Sequence, residues 1–133
     1  MKISSKGRYA VRIMTEIAKS KEKCVSVSEI ANNQNISIKY TEQIINKLVK
    51  SKLVESFRGT TGGYKLIHSP KDINIAQILS TTGDAPNLAP CINSNCNRKS
   101  ECETIGCWET LNNLIYNYLS SITLQDILDK NFK

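Results

Sequence analysis

Apolar residues first recur at helical spacing from Ala10. Ala10, Ile13, Met14, Ile17 and Ala18 fall at i, i+3, i+4, i+7 and i+8. That is the buried stripe of an amphipathic helix, and Lys6, Arg8, Arg12 and Lys19 lie off it. A polar stretch over 20–24 ends the pattern. Ser26-Val27-Ser28-Glu29 then predicts a second helix opened by a capping box, Ser26 accepting from the Glu29 amide and Glu29 reaching back. Asn32-Asn33-Gln34-Asn35 predicts that this helix is short, because these side chains favour turns. Ser37 is a natural N-cap for a third helix running from Ile38 to about Lys50, with Ile44, Ile45, Leu48 and Val49 as its buried face. Lys39, Tyr40, Glu42, Gln43 and Asn46 are left near its start and on its other face.

Two helices joined by a short turn, the second opening on hydrogen-bonding side chains, predict a helix-turn-helix. Residues 53–57 read as a strand, Arg58-Gly59-Thr60-Thr61-Gly62-Gly63 as a turn, and residues 64–68 as a returning strand. Three helices followed by such a hairpin have the order of a winged helix. Arg58 sits at the base or tip of the wing, where arginine can enter a narrow minor groove, with Gly59 and Thr60 beside it. Pro70 breaks the chain, and residues 73–80 read as a short helix closing the core through Ile75, Ile78 and Leu79.

The C-terminal third carries a different pattern. Trp108, Leu111, Ile115, Tyr118 and Ile122 are spaced 3, 4, 3 and 4, an a/d seam over two heptads, with Leu114 and Leu119 beside it. A seam outside a small core needs a partner, either the winged domain or the same helix of a second chain. Thr123 reads as the N-cap of a short final helix through Leu128. The expected fold is mainly α with a small β-hairpin: a winged helix-turn-helix domain over 1–83, a cysteine-rich loop over 84–107, and a long C-terminal dimerisation helix with a short terminal helix over 108–133.

Composition narrows the classes. At 133 residues and 40% hydrophobic the chain can bury a real core, but it is too short for separate cofactor and substrate domains. No apolar run is long enough to span a bilayer and no apolar leader opens the chain, so the expected location is cytoplasmic. The formal charge of +6 is uneven: residues 1–65 hold thirteen basic side chains against five acidic, residues 66–133 five against seven. A basic half joined to a slightly acidic half suits a nucleic-acid reader with a separate sensing or assembly part, although lysine-rich surfaces also serve solubility.

Four of the five cysteines lie in the run Cys91-x4-Cys96-x5-Cys102-x4-Cys107, with Cys24 apart. Without an export signal a disulfide framework is a poor reading. The spacings exceed the Cys-x-x-Cys pairs of zinc ribbons and suit a cluster held by loop backbone, as in iron–sulfur proteins. A structural zinc site, a redox disulfide pair and four uncoordinated thiols remain alternatives. Cys107 reads either as a fourth ligand or as a small buried hydrophobe. The single histidine, His68, closes the wing strand and reads as a strand residue rather than a ligand. No nucleophile–base pair, paired carboxylates or phosphate loop points to an enzyme.

Ser5-Lys6-Gly7-Arg8-Tyr9-Ala10-Val11, Ile36-Ser37-x-x-Tyr40-x-Glu42-Gln43 and Arg58-Gly59-x-x-Gly62-Gly63-Tyr64 resemble the opening, recognition helix and wing of the Rrf-type winged-helix regulators. Cys91, Cys96 and Cys102, then Trp108 and Ile122-Thr123-Leu124, resemble the iron–sulfur cluster regulators of that family. The resemblance covers nearly the whole chain. It implies a homodimeric, cytoplasmic transcription factor, a repressor of iron–sulfur biogenesis-type genes on a palindromic double-stranded DNA operator. It implies an iron–sulfur cofactor, 2Fe–2S with 4Fe–4S or zinc as alternatives, on Cys91, Cys96 and Cys102, with Cys107 the substitute candidate for the fourth position. It implies DNA contacts from Ser37, Lys39, Tyr40, Glu42, Gln43, Arg58, Gly59 and Thr60. The family's histidine ligand, three residues past the third cysteine, is replaced here by Ile105, and the first cysteine gap is one residue shorter. A zinc- or thiol-based redox or nitric-oxide sensor of the same fold, or a metal-dependent interaction module that binds no DNA, are the competing readings.

Overall fold

The computed structural model describes residues 1–21 and 23–132. The chain runs α1 (Ser5–Lys19), α2 (Val27–Gln34), α3 (Ile38–Lys50), β1 (Val54–Phe57), β2 (Gly63–Leu66), α4 (Ile75–Ser80), α5 (Ile105–Ser121) and α6 (Leu124–Asp129), with single 3-10 turns at Pro70–Asp72 and Pro90–Ile92. This is the expected mainly helical chain with one small antiparallel hairpin.

The first helix buries the stripe its spacing predicts, Ala10, Ile13, Met14, Ile17 and Ala18, and Gly7 beneath it. Ser26 accepts from the Glu29 amide as expected, but among the described contacts the return bond from Glu29 is missing, so only half of that box forms. The turn into α3 is made by Asn35 in the left-handed region, φ 55°, a conformation asparagine tolerates better than most residues. Ser37 caps α3 by accepting from the Tyr40 amide at 3.1 Å, and Thr41, Ile44, Ile45 and Leu48 face the core.

The hairpin pairs Val54 with Leu66 and Phe57 with Gly63 at its ends. The second strand therefore stops two residues short of His68. Ser69 and Pro70 turn the chain into a 3-10 turn there, and proline cannot extend a ladder. Tyr64 also exchanges backbone bonds with Val25 ahead of α2, at 2.9 and 3.1 Å. A Cβ on Gly63 would meet the Val25 carbonyl oxygen at 2.6 Å, and its φ is +143°, so glycine is required where the wing docks.

Two expectations are corrected beyond the hairpin. The short helix begins at Ile75, not at residue 73, because Asn74 caps it in a reciprocal box with Gln77. The long helix starts at Ile105 and ends at Ser121, so Ile122 is not the last residue of a helical seam. Ile122 is extended and buried, and its carbonyl accepts from the Ile75 amide while the Leu124 amide donates to the Ile73 carbonyl. This short bridge returns the chain to the winged core, where Ile122 and Leu124 join one apolar cluster with α1, α3 and α4. No helix among the described residues is long and apolar enough to cross a membrane.

Candidate nucleic-acid interface and cysteine loop

Two regions carry chemistry: the outer face of α3 with the wing, and the loop before α5. On α3, Ser37, Lys39, Glu42 and Gln43 are all exposed. Burial of Thr41, Ile44, Ile45 and Leu48 leaves the opposite face to Lys39, Gln43 and Asn46, which follow each other at helical spacing. Asn46 completes that stripe and carries the same amide chemistry as Gln43, bidentate pairing to adenine in a major groove. Ile38, at the first position of α3, is also exposed. The predicted set of DNA-facing residues omitted both.

Tyr40 is placed differently from its neighbours. Its ring packs edge-on against Tyr9, centroids 5.6 Å apart at 80°, and it is half-buried against the core. The Arg12 guanidinium lies 5.0 Å over the Tyr9 ring and bonds the Gln34 side chain at 2.8 Å and the Gln34 backbone carbonyl. Gln34 also donates to Glu16 at 2.6 Å. Burial pushes the Glu16 carboxyl up, but bonds from Asn33, Lys19 and Gln34 outweigh it and hold the pKa below the ordinary value. Gln34, Arg12, Tyr9 and Tyr40 thus form a polar and aromatic chain that seats α2 and α3 on α1. The sequence signal was present, an arginine three residues after a tyrosine on one helix, but its partners lie on other elements.

At the wing, Arg58, Gly59 and Thr60 are exposed. Gly59 has φ +103°, and its carbonyl accepts from the Gly62 amide at 3.0 Å, closing the turn. A Cβ on Gly62 would press on the Phe57 carbonyl oxygen and lie 2.7 Å from the Arg58 carbonyl carbon. Lys65 lies 5.2 Å over the Phe57 ring, bracing the two strands that carry Arg58.

The cysteine loop is tied down at both ends. At its start Asp84 accepts from the Ser4 amide at 2.9 Å, the Ser4 hydroxyl at 2.7 Å and the Thr82 hydroxyl at 2.6 Å. Burial raises the Asp84 pKa, but the Thr82 and Ser4 bonds outweigh it and the carboxyl titrates below its ordinary value. Further on, the Leu88 amide donates to the Asn112 side chain of α5, and Lys99 donates to the Ile92 carbonyl and pairs with Glu109 at 3.4 Å.

Cys91, Cys96 and Cys102 line one open cavity of about 570 Å³, together with Arg98, Lys99, Glu101, Glu103 and Ile105. Cys107, in the first turn of α5 and exposed, is not among its walls. The Thr104 hydroxyl, 3.4 Å from the Cys102 sulfur, pulls the Cys102 thiol below its ordinary pKa, with the Thr104 and Ile105 amides assisting. Among the described residues no three His, Cys, Asp or Glu side chains stand close enough to hold a single metal ion. The donor chemistry fits soft-metal or cluster ligation, since thiolates are what such centres use.

A three-helix core with a two-stranded wing and a free polar face on its third helix defines a winged helix-turn-helix regulator, a DNA-binding class rather than an enzyme class. The family model Rrf2, iron-dependent transcriptional regulator, matches residues 3–130, and the chain belongs to that family. A protein of Neisseria meningitidis serogroup A inferred to be an HTH-type transcriptional regulator is 41% identical over 132 residues, covering 98% of this chain and 89% of its own. The structure of T. potens IscR superposes with a TM-score of 0.78 at 35% identity, over 98% of this chain and 88% of that one. CymR, the global cysteine regulator of B. subtilis, superposes at 0.80 with 31% identity, over 98% of each chain.

Proposed function

We propose that this chain is a homodimeric transcriptional regulator in which an iron–sulfur cluster, of 2Fe–2S type, reports cluster or redox status to an operator-reading winged helix. The observation that carries the reading is the convergence of Cys91, Cys96 and Cys102 on one cavity in a loop anchored to the winged core. The x4 and x5 spacings of Cys91, Cys96 and Cys102 exceed the Cys-x-x-Cys pairs usual in structural zinc sites and suit a cluster held by a loop. When bound, such a cluster supplies a one-electron couple and a ligand set sensitive to oxidants and iron supply.

The chain's own residues do the rest. Arg98 and Lys99 line the cavity with Glu101 and Glu103, so the lining charges balance, and the Thr104 hydroxyl favours the Cys102 thiolate needed for ligation. Cys107 is the next thiol along the chain for a fourth position. Trp108, Leu111, Leu114 and Tyr118 leave an exposed apolar strip on α5, the surface a second copy would cover. Two such chains would present two α3 helices to a palindrome, with Lys39, Glu42, Gln43 and Ser37 in the major groove and Arg58, Gly59 and Thr60 at the adjoining groove. The targets that fit are genes of iron–sulfur assembly, held under repression.

Anaerobically purified protein is expected to be coloured and to contain iron with acid-labile sulfide, and Cys102→Ala to remove both. Colourless protein with stoichiometric zinc would overturn the cluster reading and leave the DNA reading standing. The thiol-sensor reading rests on the lowered Cys102 pKa; it predicts colourless, metal-free protein whose DNA affinity changes with an oxidant.

A further inference from the structure

Ile38 is half exposed, at 50%, on the first turn of α3. Two residues away on either side, Ile36 and Tyr40 pack against the core. Ile38 is the apolar exception among the outward positions of α3, the others being Lys39, Glu42, Gln43, Asn46, Lys47 and Lys50. Any helix-forming polar residue would serve the fold better there, because β-branching lowers helix propensity. Ile38 lies one turn before Glu42 on the same side of α3 and next to Lys39, so it borders the face that carries Gln43. Ser37, whose side chain caps the helix, fixes the backbone from which Ile38 projects.

We propose that Ile38 is a specificity-determining residue that packs against the C5-methyl group of a thymine in the operator. The inference rests on the DNA-reading role of α3 and assigns one apolar contact within it. In the major groove the methyl group is the only apolar feature by which a base pair announces itself, and it distinguishes T·A from C·G at the same edge. A polar side chain gains little there, whereas an aliphatic one removes both apolar surfaces from water. The neighbouring Lys39 and the basic N-terminal half draw the phosphates close enough for that contact to form.

The test uses the full chain and an operator obtained by selection from a random duplex pool. Each thymine of that operator is replaced in turn by deoxyuridine, which removes the methyl and nothing else. Burying one methyl predicts about a fourfold loss of affinity at one thymine per half-site. In Ile38→Ala that uridine penalty disappears, in Ile38→Val it persists, and binding to random duplex is unchanged in both. The exposed site keeps the variants folded, and circular dichroism checks this. A wild-type protein indifferent to uridine at every position overturns the proposal, as does a penalty that survives in Ile38→Ala. A chain that selects no sequence at all overturns the DNA-reading role together with it.

Discussion

Gly7→Ala tests how the cysteine loop is fastened to the reading head. A Cβ at Gly7 would stand 2.5 Å from an Asp84 carboxylate oxygen, 2.9 Å from its Cγ and 3.2 Å from a Leu79 methyl. Asp84 must then swing away from Ser4 and Thr82. Its three hydrogen bonds reach a charged acceptor but stand partly open to water, so each contributes about 0.5–1 kcal/mol after screening. Losing them costs about 1.5–3 kcal/mol. Against that, alanine in a helix is worth about 1 kcal/mol over glycine. The net expectation is a loss of about 0.5–2 kcal/mol, read by urea unfolding followed at 222 nm. The decisive arm is the Asp84→Ala background. There the obstacle is gone, and Gly7→Ala should become stabilising by up to about 1 kcal/mol. If Gly7→Ala stabilises the wild-type chain, or has the same effect in both backgrounds, the clamp is not what holds the loop to α1.

Gly62→Ala should open the wing turn, because its Cβ meets backbone atoms that cannot rotate away; a stability loss of about 1–3 kcal/mol is expected by thermal unfolding. Gln43→Ala should weaken operator binding by about 1–3 kcal/mol while leaving random duplex nearly untouched; equal loss on both would argue against base reading. The lowered Asp84 pKa contributes stability that is present above its unfolded value and fades as pH falls through the folded one. Asp84→Asn should therefore flatten the acid limb of stability against pH, and an unchanged limb would count against the clamp. In metal-free protein, the Cys102 thiolate should persist to lower pH than an ordinary cysteine's, and Thr104→Val should move its alkylation profile upward.

Much of the reading head was legible because its signals are local. A serine before a polar-fronted amphipathic run marks Ser37 and the start of α3 without reference to anything distant. The outward stripe follows from the same periodicity, so Lys39 and Gln43 emerged from the pattern. What escaped depends on contacts far along the chain. Ile122 leaves its helix because it pairs with the segment before α4, between residues 47 positions apart in sequence, and heptad spacing carries no trace of that. The edge-on contact of the Tyr40 ring with Tyr9 on another helix likewise leaves no local trace in the sequence. Ile38 was passed over because an apolar residue on a helix reads as core until its exposure is known. The cysteine run was legible as a donor set, but which thiols share a cavity was not: loop conformation decides that, and it separates Cys107 from the other three.

The central claim joins two activities in one chain, and the operator affinity of anaerobically purified protein before and after removal of its iron tests the joint directly. The predicted result is coloured protein whose affinity shifts when the iron is removed, with wild-type behaviour after chelation matching that of Cys102→Ala. Identical affinities in the two states, or protein carrying neither iron nor sulfide, would contradict it.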